Sequence, residues 1–80
     1  MTTDQQANHD TLVKYIGKLV SIKAGIANTN SMIVHAGALE YRGENNFSVT
    51  ATFGAWMLVF PLSDVKQIEI NEKDILIISI

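Results

Sequence analysis

Residues 75–80 read Ile-Leu-Ile-Ile-Ser-Ile, five apolar residues in six, and no other stretch limits the fold as sharply. Six residues are too few for a self-sustaining helix, and the β-branched content favours a strand. A half-buried strand alternates apolar and polar positions, whereas one apolar on both faces must be covered on both. Bare, such a segment is an aggregation hazard. One face of this strand can enter the core of a small domain. The other predicts a neighbouring subunit, or else cover from an N-terminal helix or tail.

Size points the same way. Eighty residues form one domain whose core stabilises it only marginally without disulfides, a metal or self-association. With no cysteine and two isolated histidines, disulfides and a zinc site are excluded, so no metal or cofactor is expected. Self-association remains, and an apolar content of 48% leaves surface to be buried between chains. The apolar runs are far shorter than the roughly 20 residues of a membrane span. Residues 1–10 lack the basic then apolar order of a signal peptide, so a cytoplasmic protein is expected. A net charge of −2 counts against non-specific grip on a phosphate backbone.

Along the chain, residues 1–8 show no apolar periodicity and read as a flexible tail, with one domain over 9–80. Asn8 or Asp10 can cap a helix of at most two turns, with Leu12, Val13 and Ile16 on one face and Gly17 at its C-terminal end. Val20, Ile22 and Ala24 then alternate with polar residues as a first strand. A long second strand over 31–41 carries Gly37 inside it, where a bulge or sharp bend is expected. After a turn at 42–46, Phe47, Val49, Ala51 and Phe53 alternate with Ser and Thr as a third strand. Gly54-Ala55 reverses into 56–60, with Trp56, Leu58 and Phe60 on one face. Pro61 interrupts the ladder before a one-turn corner at 62–64. Ile68 and Ile70 resume, either as the end of that strand or as a separate one. Asn71 to Asp74 is the last turn. Short, closely spaced strands predict an all-β domain with a short N-terminal helix, a small bent barrel that limits bare edges.

The order of elements, with Ile16-Gly17-Lys18-Leu19-Val20-Ser21-Ile22, then Gly37-Ala38-Leu39, then Phe47-Ser48-Val49, resembles the Sm-like (LSm/Hfq-like) family over nearly the whole domain. The resemblance implies a five-stranded, strongly bent antiparallel barrel of SH3-like type. It also implies a homo-oligomeric ring in which the fourth strand pairs with the next subunit's last strand. Met57, Val59, Ile75, Leu76, Ile77, Ile78 and Ile80 would then form the interface. Single-stranded RNA is the ligand the family suggests. Where relatives carry Asp and Asn in the turn after strand two, this chain has Gly43 and Phe47, and for Ile-Arg-Gly it has Ile70-Asn71-Glu72.

No Ser, His and acid fall into a catalytic motif, and a non-enzymatic protein is expected. The best binding candidates are Tyr41, Arg42, Asn45 and Asn46, an aromatic, a guanidinium and two amides able to stack on and hydrogen-bond an unpaired base, with Asn71 and Lys73 in the last turn. The alternative is an SH3-like module that docks another protein and binds no nucleic acid.

Overall fold

The fold is set by where strand-forming runs meet turn residues, and a computed structural model describes residues 3–80 of it. Helix α1 covers Thr3–Lys14, followed by β1 (Leu19–Gly25), β2 (Met32–Gly43), β3 (Asn46–Thr50), β4 (Met57–Pro61), a 3₁₀ turn at Leu62–Asp64, β5 (Gln67–Ile70) and β6 (Leu76–Ser79). The strands form one sheet in the order β4-β3-β2-β1-β6-β5. The domain is thus mostly strand with one short helix, as expected.

Several expectations are corrected. Among the described residues there are six strands rather than five, because residues 67–70 pair antiparallel with β6 as a strand of their own. The sheet is mixed rather than antiparallel, because β6 runs parallel to β1 in the register Val20↔Leu76 and Ile22↔Ile78. It is open, ending on β4 and β5. The helix has 12 residues and begins within the stretch expected to be a tail; residues 1 and 2 lie outside those described. β3 ends at Thr50, which leaves Phe53 in the following loop instead of in a ladder.

The core lies on one face of this curved sheet. Val20 and Ile22 of β1, Leu39 of β2, Phe47 and Val49 of β3, Phe60 of β4 and Leu76 and Ile78 of β6 are all buried there. The register sets Val20 opposite Leu76, Ile22 opposite Ile78, Leu39 opposite Val49 and Phe47 opposite Phe60, which is why strict period-two alternation in the sequence becomes a single apolar layer. Leu12 is the one fully buried residue of α1 and closes one end of that layer. Gly17, at φ +85°, turns the chain from helix to β1, and its N–H donates to the Leu39 carbonyl at 2.7 Å.

β2 is long because it serves two partners, its first half pairing with β1 and its second with β3, the two meeting at Ala38. Gly37 sits at this junction. The register shift falls further on, between Tyr41 and Gly43; what Gly37 provides is room for the Thr50 backbone, on which any Cβ would collide. The β2–β3 turn is a tight two-residue hairpin with Glu44 and Asn45 both at positive φ, the geometry that matches strand twist.

Candidate binding surfaces

Two residues that adjoin in sequence are set apart by the pleat. Tyr41 shares the inner face with its cross-strand partner Phe47, the rings 5.2 Å apart edge to face, and its hydroxyl accepts a hydrogen bond from the Asn45 N–H at 3.2 Å. Arg42 points to the outer face. There its Nε donates to Ser48 Oγ at 2.9 Å, and its guanidinium lies 3.0 Å from Glu40 Oε2 and 3.5 Å from Met57 Sδ. The guanidinium expected to recognise a base is thereby occupied in covering Ser48, which is fully buried beneath it.

Asn71 and Lys73 lie in a separate turn. Asn71 Oδ1 accepts from the N–H groups of Lys73 and Ile75 at 2.9 and 3.0 Å, so its amide oxygen organises the turn. That turn leans on the helix end, where the Tyr15 hydroxyl donates to Asp74 Oδ1 at 3.2 Å. The Asn45–Asn46 hairpin leans instead on the 3₁₀ turn, the Leu62 N–H donating to the Asn45 carbonyl at 2.8 Å. The six residues therefore make no single site.

The Tyr15 hydroxyl is pushed above the ordinary phenol value by desolvation, then by the hydrogen bond to Asp74 and that carboxylate's charge. A folded-state value raised above the unfolded one means that the neutral phenol stabilises the fold fully below the unfolded value of 10.0. The contribution disappears as pH rises through the folded value. Urea midpoints measured across this alkaline range should fall faster for the parent chain than for Tyr15→Phe.

The expected interface divides likewise. β6 is flanked on both sides by β1 and β5, so its backbone has no free edge to offer a neighbour. Leu76 and Ile78 are in this chain's own core; Ile75, Ile77 and Ile80 remain only partly exposed. Met57 and Val59, by contrast, lie on the terminal strand β4 and are half exposed, at 52% and 53%. Ile70 on the opposite terminal strand, β5, is 54% exposed. These are the sheet's free margins.

Two features carry no isolated sequence signal. His9 of α1 lies edge to face on Phe47 at 5.9 Å and near Tyr41 at 6.5 Å, extending the Leu12 contact by one turn. Its spacing of three from Leu12 on a helix was the available clue. The other is an apolar recess of about 240 Å³ lined by Ile22, Ala24, Ile33, His35, Trp56, Met57 and Leu58, formed where β1, β2 and β4 extend past the buried core. Among the described residues no three His, Asp or Glu side chains converge as a metal site, and no helix is long and apolar enough to cross a membrane. The chain matches no protein-family model, no curated protein and no solved structure.

Proposed function

We propose that this chain is a non-enzymatic, Sm-like subunit that assembles with copies of itself, edge to edge, into a ring. The observation that carries the reading is the open sheet, which ends on β4 and β5, each with one unpaired edge and exposed apolar side chains. Two different free edges on one chain are what a head-to-tail contact requires, and such a contact closes into a ring when the rotation between copies is right. The run of α1, four successive strands and a 3₁₀ turn before β5 also supports the Sm-like reading. Relative to the expectation from sequence, the strand contributed to the neighbour is β5 rather than β6.

For the ligand, the engagement of Arg42 with Glu40, Ser48 and Met57, with the net charge of −2, favours the protein-docking alternative over single-stranded RNA. A guanidinium already paired within the fold contributes little counterion release from a phosphate backbone.

Light scattering tests the assembly. The mass should be a multiple of 8.8 kDa, and Ile70→Lys on the exposed β5 edge should reduce it to no more than two copies. A parent chain that is monomeric at micromolar concentration overturns the ring. Titrating labelled single-stranded oligonucleotides at low salt separates the two ligand classes, since salt-sensitive binding selects RNA and its absence selects a protein partner.

A further inference from the structure

Phe53 is 95% exposed. It stands on the loop between β3 and β4, where Gly54 at φ +71° reverses the chain. That loop is held by its own backbone, the Ala51 N–H donating to the Trp56 carbonyl at 3.0 Å and the Gly54 N–H to the Ala51 carbonyl at 2.9 Å. The ring of Phe53 thus takes no part in this chain's own packing. Three residues on, Trp56 forms one wall of the apolar recess, its indole 4.6 Å from the His35 ring, with Ile22, Ala24, Ile33 and Leu58 around them. No Lys, Arg, Asp or Glu lines that recess, so its chemistry suits a neutral apolar group.

We propose that two copies of this chain dock about a two-fold axis, each seating Phe53 in the other's Trp56 recess. A two-fold contact needs projection and receptor on one self-complementary patch. Here the two are three residues apart in sequence, at most about 10 Å of chain. The area agrees with this occupant. A buried aromatic removes about 150–250 Å² from water, and the wall it covers loses a similar amount. Two exchanged rings therefore supply roughly half of the ~1,600 Å² of a standard stable interface. Ile33, which lines the same recess and is itself exposed, extends the patch on that face. The contact goes beyond the edge pairing proposed above, because it joins copies face to face and leaves the β5 edge free.

The test uses the whole chain and its single tryptophan. On dilution, Trp56 emission in the parent should shift to the red as Phe53 leaves the recess. Phe53→Ser should halve the light-scattering mass, weaken association at least ~30-fold as expected for a central anchor, and make Trp56 emission independent of concentration. Ala24→Leu, which fills the recess from within, should do the same with Phe53 intact. Ile70→Lys, which breaks only the edge contact, should leave a two-copy species. An unchanged mass in Phe53→Ser, or parent emission that ignores dilution, overturns the exchange whatever becomes of the ring. An Ile70→Lys mass equal to the parent's removes the edge pairing and leaves the exchange standing.

Discussion

Replacing Gly37 with alanine is expected to cost more than about 3 kcal/mol, beyond the usual range for one added methyl in a packed interior. The new Cβ would fall on the carbonyl of Thr50, with the Val49 Cγ1 only 3.1 Å away. A side chain in that position could rotate aside, but a backbone carbonyl in a ladder cannot. Relief requires β2 and β3 to separate at Ala38↔Thr50, the point where the two halves of the sheet are joined. A domain of this length has a total stability of about 4–12 kcal/mol. Gly37→Ala should therefore be largely unfolded at modest urea concentrations by circular dichroism. A midpoint within a few tenths molar of the parent's would mean that the strands can part there at little cost.

Leu12→Ala is the second large effect, about 2–5 kcal/mol. Leu12 is fully buried and is the only residue of α1 that is. A 12-residue helix is marginal in water by itself, so the loss of its one anchor removes more than a cavity's worth of contact. The His9 ring on Phe47 and the Tyr15 bond to Asp74 depend on the same docking. Hydrogen exchange should show the amides of α1 losing protection before those of β1 and β2. Equal loss across helix and sheet would instead make the helix part of one cooperative unit.

What was legible in the sequence was whatever depends on near neighbours. Gly17 marked the helix-to-strand reversal, the 47/49 and 56/58/60 alternations marked the inner face, and Pro61 announced the corner that became the 3₁₀ turn. The helix start was missed because only Leu12 and the partly buried His9 dock strongly, so Thr3 to Asn8 carry no apolar period to read. Strand order was hidden for a different reason. Parallel pairing of β6 with β1 joins distant parts of the chain, and nothing local in residues 75–80 distinguishes a strand interior to the sheet from one at a free edge. The grouping of the binding candidates was hidden similarly. Tyr41 and Arg42 are adjacent in sequence but face opposite ways, and the partners that occupy Arg42, Ser48 and Met57, are supplied by other strands.

The central position of β6 also bears on how the molecule is made. Five strands precede it in the chain, yet β5 has no other partner and β1 keeps a bare edge until β6 arrives. Nascent chains that have emerged only as far as the last turn would carry an exposed β1 edge beside an uncovered apolar layer. That intermediate is the state in which chaperone binding or mispairing with a second nascent chain is most favoured.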